Sequence, residues 1–248
     1  MTEQQPLPYK SFDPTTFREK PVSFVRRSGR MTPSQERAWA DHHAKYVLDI
    51  PHGPAATSVA DGAHSDPSEI FGRSAPLVVE VGSGQGHAIL HASETRPDTN
   101  FLAIEVFRAG LARTMIRAEI AGTENLRLAE VNAPELLEKY LPVGSVDEIW
   151  VFFPDPWKKA RHHKRRLVSE DFARIAARAL RPGGVLRLAT DWEDYAEQMR
   201  EVLDAAPGFA RDFSGEWADR FDGRILTAFE QKGIDKGRHI RDLTYRAA

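Results

Sequence analysis

No cysteine occurs among the 248 residues, which excludes disulfides, thiolate metal sites and cysteine nucleophiles and fits a reducing, cytoplasmic setting. No apolar run reaches the roughly 20 residues of a membrane span. The opening Met1-Thr2-Glu3-Gln4-Gln5-Pro6 lacks both the charged start and the apolar centre of a signal peptide. A protein that is neither exported nor embedded in a membrane is expected. No His-Glu-x-x-His is present, and the adjacent pairs His42-His43 and His162-His163 would point apart in a helix or strand. No metal is expected. A strong charge of one sign is missing too: 34 basic against 36 acidic residues leave a net charge of -2. That balance is unlike a general nucleic-acid coat protein, whose domain is strongly basic. Any nucleic-acid contact must be local and oriented. With no covalent staples the chain relies on its core, and its length is enough for one full α/β domain with an added N-terminal segment.

Residues 1–75 differ from the rest. They are rich in Pro, Ser, Gly and His, and only Glu36 to Ile50 reads as a helix, opened by Thr32-Pro33-Ser34. Lys10, Arg18, Lys20, Arg26, Arg27 and Arg30 make this segment a basic arm, either a disordered tail or an arm that orders on RNA. Pro51 to Ser74 is expected to be a partly flexible loop. From residue 76 onward, short β-branched runs alternate with helical segments, the pattern of a doubly wound, mostly parallel sheet with helices on both faces. Strands are predicted at Leu77 to Val81, Phe101 to Glu105, Leu126 to Val131, Glu148 to Phe153 and Val185 to Ala189. Arg181-Pro182-Gly183-Gly184 reads as the turn into the last of these. The intervals are predicted to be helical: Gly86 to Thr95, Phe107 to Ala121, Pro134 to Tyr140, Ser169 to Ala179 and Trp192 to Ala205. After Pro207, Ile225 to Phe229 and Asp242 to Arg246 alternate like the strands of an antiparallel edge hairpin.

Three successive strand ends carry candidate cofactor residues. Glu80-Val81-Gly82-Ser83-Gly84-Gln85-Gly86 follows the first strand, where such a sheet binds its ligand. The dinucleotide fingerprint places a third glycine where His87 stands, so NAD fits poorly. The spacing acid-x-Gly-x-Gly-x-Gly resembles the first motif of Rossmann-like, S-adenosylmethionine-dependent methyltransferases. Glu105 ends the second strand, where a carboxylate can accept both ribose hydroxyls. Asn132-Ala133 follows the third and offers an amide to an adenine edge, while Glu80 can meet a methionine ammonium. Taken singly, each has a structural alternative: a strand-end carboxylate for Glu80, a surface acid for Glu105, a helix cap for Asn132. Their joint placement favours the cofactor.

The fourth predicted strand ends in Val151-Phe152-Phe153-Pro154-Asp155-Pro156-Trp157. Two prolines stop the strand and fix one carboxylate at its tip. Lys158-Lys159-Ala160-Arg161-His162-His163-Lys164-Arg165-Arg166 follows with no acid in it. A phosphate-binding run beside a fixed acid points to chemistry on a nucleic-acid base, although a charge run alone is more often a solvated loop. Trp157, Phe152 and Phe153 could stack on such a base, with Phe152 favoured as core.

These residues resemble the bacterial tRNA (guanine-N7)-methyltransferases from about Asp66 to Arg246. The specific element is Phe153-Pro154-Asp155-Pro156-Trp157-x-Lys159-x-Arg161-His162-x-Lys164-Arg165-Arg166. Arg27-x-Gly29-Arg30-x-Thr32, Thr190-Asp191 and Thr227-Ala228-Phe229-Glu230 agree as well. The resemblance implies a class I, Rossmann-like fold with a seven-stranded sheet and methyl transfer from S-adenosylmethionine to N7 of a variable-loop guanine in tRNA; no obligate protein partner is inferred, and monomer and homodimer both stay open. It assigns cofactor contacts to Glu80, Gly82, Gly84, Gly86, Glu105, Asn132, Ala133 and Asp155, with Asp155 also the catalytic candidate. Lys159, Asp191, Thr227 and Glu230 would hold the substrate. Arg27, Arg30, Arg161, His162, His163, Lys164, Arg165 and Arg166 would touch RNA. The alternatives are a methyltransferase acting on another substrate and a catalytically silent RNA-binding adaptor on the same fold.

Overall fold

Leu77-Val78-Val79-Glu80-Val81 is buried at every position, as expected of a central parallel strand covered on both faces. In the computed structural model, which describes residues 30–248, this strand, β1, lies at the middle of a seven-stranded sheet of order β3-β2-β1-β4-β5-β7-β6. The other strands are β2 (Asn100–Ile104), β3 (Leu126–Ala129), β4 (Val146–Phe152), β5 (Leu180–Thr190), β6 (Phe209–Arg211) and β7 (Arg241–Ala247). β1 to β5 run parallel, with Val79 opposite Leu102 on one side and Ile149 on the other. β7 is antiparallel to both β5 and β6. The strand order reverses between β1 and β4, so their carboxyl ends open a crevice of the kind in which α/β sheets bind ligands.

Helices cover both faces. α1 (Pro33–Tyr46), α3 (His87–Thr95) and α4 (Arg108–Ala121) lie on one, where Tyr46, Ile89, Leu111 and Met115 pack on Val78, Phe101 and Trp150. On the other are α5 (Ala133–Glu135), a wide helical turn over Leu136–Tyr140, α6 (Glu170–Ala179) and α7 (Glu193–Ala205). There Leu136, Phe172, Ile175 and Met199 pack on Val79, Ile149, Val151 and Leu186. Among the described residues, no helix is long and apolar enough to cross a membrane.

Three expectations are corrected. The antiparallel edge pairs β7 with Phe209–Arg211, whereas Ala228–Ile234 is a helix, α8. Thr227 caps it, its hydroxyl accepting from the Glu230 amide at 3.2 Å. The Thr-x-x-Glu start outweighs a two-residue alternation too short to specify a strand. Arg181 to Gly184, expected as a turn, lies inside β5, where pairing slips from Val146–Leu180 to Glu148–Val185. The Pro51 to Ser74 stretch contains α2 (Pro67–Phe71), opened by an Asp66–Glu69 capping box. It is also tied to the sheet edge: Thr57 O accepts from Asn132 N at 2.6 Å, and Val59 N donates to Glu135 Oε2 at 3.0 Å.

Candidate active site at the carboxyl edge of the sheet

Gly82, Gly84 and Gly86 all adopt positive φ, at 73°, 59° and 71°, which side chains other than glycine's rarely allow. A Cβ on Gly82 or Gly84 would meet open space, and one on Gly86 would come within 2.5 Å of Thr114 on α4. The sequence reading missed Gly110. A Cβ there would lie 2.3 Å from Gly84 O, so α4 approaches the loop only because this position is glycine. Its signal was a glycine in the first turn of a predicted helix, where the residue is otherwise costly.

Glu80, Glu105 and Asp155 converge on this loop. Glu80 is buried beneath it and accepts from Ile89 N at 3.2 Å. Burial, opposed by that one donor and reinforced by the charge of Glu105, pushes its pKa up to about 8. Glu105 receives three backbone donors, from Gly84, Val106 and Phe107 at 2.9, 2.7 and 2.9 Å. Burial still raises its pKa, and the charge of Asp155 adds to the rise. The cleft is lined by Gly82, Glu105, Asn132, Ala133, Phe153, Asp155 and Trp157, closed at its base by Phe172 and Ile175. Acidic side chains beside open glycines suit a cationic nucleoside such as S-adenosylmethionine, whose charge favours their ionised forms, better than the pyrophosphate of a dinucleotide. Asn132 is buried, its side-chain amide turned to Glu135 Oε1 at 3.2 Å.

Asp155 is exposed at the mouth of this cleft. Phe153 and Trp157, on either side of Pro154-Asp155-Pro156, both have positive φ, 53° and 45°. For bulky residues that conformation is an outlier, of a kind that persists where surrounding contacts enforce it, often at functional sites. Phe153 N still donates to Ala189 O at 2.8 Å, and its ring packs on that of Phe229 at 5.4 Å. Phe152 packs on Trp150 at 5.6 Å, as core.

Arg166 corrects the sequence reading. It is 3 % exposed, and its guanidinium reaches Pro156 O at 2.9 Å, Gln198 Oε1 at 2.6 Å and Asp194, over the ring of Tyr195. It clamps the loop from inside and does not present charge to RNA. His163 turns the same way, its Nε2 3.1 Å from Arg166 Nη2. The rest of the run forms a short 3-10 helix, Ala160–Arg165, on which Arg161, Lys164 and Arg165 are exposed and His162 is half-buried. Arg165 stacks on Trp157 at 5.1 Å, and His162 approaches the same ring at 6.0 Å. Lys159 is exposed just before this helix, and Arg30 just before α1. Arg27 lies outside the described residues.

Two substrate candidates have other partners. Asp191, after β5, forms an ion pair with Arg238. Glu230 is fully buried against Arg220 and Arg224, and Arg224 also holds Asp242 at 2.7 Å. Neither acid lines the cleft. Thr227 is engaged as the cap of α8.

A family model described as a putative methyltransferase matches residues 74–243. A tRNA (guanine-N(7)-)-methyltransferase of Paenarthrobacter aurescens is 43% identical, over 93% of this chain and 93% of its own. This chain belongs to the tRNA (guanine-N7)-methyltransferase family. A Pseudomonas putida member of the family is 39% identical over 99% of this chain and 98% of its own. A Cutibacterium acnes member is 44% identical over 91% and 82%. Among solved structures, the 16S rRNA methyltransferase KamB matches with a TM-score of 0.53 and 18% identity, covering 81% of this chain and 100% of its own. The antibiotic-resistance methyltransferase Kmr matches at 0.52 and 19%, covering 80% and 97%. Those two likenesses place the family's sheet and helices in the Rossmann-like methyltransferase fold.

Proposed function

We propose that this protein methylates N7 of a guanine in tRNA, the variable-loop guanine, with S-adenosylmethionine held over the glycine loop. The observation that carries the reading is one rigid carboxylate, Asp155, at the mouth of a glycine-lined cleft with Glu105 in its wall and next to an exposed basic helix. S-adenosylmethionine supplies a sulfonium methyl group, and guanine N7 offers an in-plane lone pair, so no proton need be removed before attack. The work left to the chain is mainly to position its substrates, an effect that can be worth roughly 7 to 11 kcal/mol. As positive charge moves into the purine, a fixed Asp155 carboxylate favours it electrostatically. Glu105 takes the ribose hydroxyls with whatever acceptor capacity its three backbone donors leave, Glu80 faces the ammonium, and Asn132 with Ala133 borders the adenine. Lys159, Arg161, Lys164 and Arg165 hold phosphates, which set affinity and register.

The test is methyl transfer from labelled S-adenosylmethionine to an unmodified tRNA transcript, followed by borohydride and aniline cleavage at 7-methylguanine. Cleavage at one variable-loop guanine is expected, lost in Asp155→Ala while tRNA binding persists. Near-normal turnover in that variant would remove Asp155 from the catalytic role.

A further inference from the structure

We infer that Arg113 and Arg117 on α4 form a second phosphate-binding surface, beside the glycine loop and separate from the basic 3-10 helix, along which the backbone of the RNA substrate runs. The inference rests on the tRNA reading and extends it to a face that the basic sequence run does not include.

Arg113 is exposed and Arg117 half-buried. They stand one helical turn apart, and i,i+4 residues on a helix project from the same side. Thr114, between them, packs under Gly86, which turns this side of α4 toward the glycine loop. Arg117 Nη1 donates to Gln85 O at 2.8 Å, so its position is fixed by the loop's backbone. The two guanidiniums are close enough to each other and to His87 to act on both: burial and then Arg117 and Arg113 lower the pKa of His87, and burial and then Arg113 lower that of Arg117.

Several arginines of this protein are neutralised by a carboxylate. Arg108, on the same helix, is neutralised by Glu130 at 2.8 Å, and Arg96, Arg174, Arg181 and Arg187 each meet a carboxylate. Arg113 and Arg117 form no ion pair with any acid among the described residues. In a chain with a net charge of -2, two guanidiniums left unneutralised one helical turn apart repel each other and favour an external anion. A planar fork suits phosphate, and the pair stands beside the glycine loop, to which Arg117 is bonded. The entry to α1 is near as well, since Gln35 Nε2 donates to Ala109 O at 3.0 Å, one turn before Arg113. Exposed Arg30 thus borders the same side of the molecule. The RNA backbone would then meet two sets of cations, Arg161, Lys164 and Arg165 on the 3-10 helix and Arg113 and Arg117 on α4.

The experiment measures tRNA affinity against salt for wild type, Arg113→Ala and Arg113→Ala/Arg117→Ala, together with S-adenosylmethionine affinity by calorimetry and KM and kcat for tRNA. Removing one phosphate-binding arginine should flatten the log K versus log salt slope by about 0.7 to 0.9. The double variant is expected to flatten it by about 1.4 to 1.8, with KM for tRNA raised and both kcat and cofactor affinity kept. The exposed Arg113→Ala variant, which disturbs no packing, should show half of that change. An unchanged slope in both variants, with the wild type methylating tRNA, overturns the inference. So does an unchanged slope with weakened cofactor binding, which would make the pair a support for the glycine loop alone. A wild type that binds no tRNA overturns this inference and the proposed function together.

Discussion

Glu80 has one backbone donor and a buried position, and its pKa of about 8 leaves it mostly protonated near pH 7 in the free protein. Its folded value lies above its ordinary value of 4.5, so folding takes up a proton between the two. The stability contributed by the protonated form is complete below about pH 4.5 and is lost as pH rises through about 8. Glu80→Gln removes that loss: chemical denaturation at pH 5 and pH 8 should show wild type weakening across the interval relative to the variant. An ammonium placed against Glu80 favours the carboxylate, so S-adenosylmethionine binding at pH 7 should release a proton, visible by calorimetry in buffers of different ionisation enthalpy. Binding without release would separate Glu80 from the ammonium. Arg165 and Arg166 are adjacent in sequence and opposite in behaviour. Arg166→Ala strips charged hydrogen bonds from a buried group and should cost roughly 1.5 to 3 kcal/mol of stability in thermal unfolding. Arg165→Ala should leave unfolding alone and flatten the tRNA salt slope by about 0.7 to 0.9. Nothing in a run of like charges tells which arginine turns inward; that depends on Asp194, Tyr195 and Gln198, supplied by a helix about 30 residues later.

At the scale of elements, α4 and the glycine loop are joined through Gly110, whose missing Cβ leaves room for Gly84 O. Gly110→Ala replaces that space with a methyl group 2.3 Å from a backbone carbonyl, an overpacking worth about 1 to 3 kcal/mol. The strain falls on the loop that would hold the cofactor. S-adenosylmethionine affinity should therefore drop by more than a stability loss alone explains, and a variant that binds it normally would show that the loop does not depend on this packing. β1 to β4 were legible to within a few residues because buried parallel strands are continuous apolar runs, and the glycine loop was legible because its chemistry is local. β6, α8 and the start of β5 were not. Each is decided by partners elsewhere: Arg211 and Phe209 are strand because β7 lies beside them, and Leu180 pairs with Val146 across a slip in register.

At the scale of the whole molecule, the antiparallel edge and the strand leading into the Asp155 loop are connected by one buried charge cluster. Arg224 is 2 % exposed. It bonds to both oxygens of Asp242 on β7, and its Nη1 lies 2.6 Å from Glu230 on α8, an ion contact without hydrogen-bond alignment. The rings of Phe152 and Phe153 lie 5.7 and 5.5 Å from its guanidinium. Positions 224, 230 and 242 show no relation in sequence, and the expectation that Glu230 holds the substrate could not foresee that tertiary structure gives it two arginines. Any role for Glu230 on guanine requires that at least one of them let go, and Arg220, the more exposed of the two, is the one free to move. Arg224→Met leaves buried Asp242 uncompensated and Glu230 with Arg220 alone, and should cost about 3 to 5 kcal/mol. Burial already raises the pKa of Asp242, and Arg224 is its main opposing charge. Adding Asp242→Asn to the variant should therefore recover part of that stability, and a double-mutant cycle measures the coupling. Methyl transfer assayed well below the melting temperature of the double variant separates anchoring from stability. A reduced kcat there would mean that the cluster holds Phe153 and the Asp155 loop in place, and an unchanged kcat would confine it to joining α8 to the sheet.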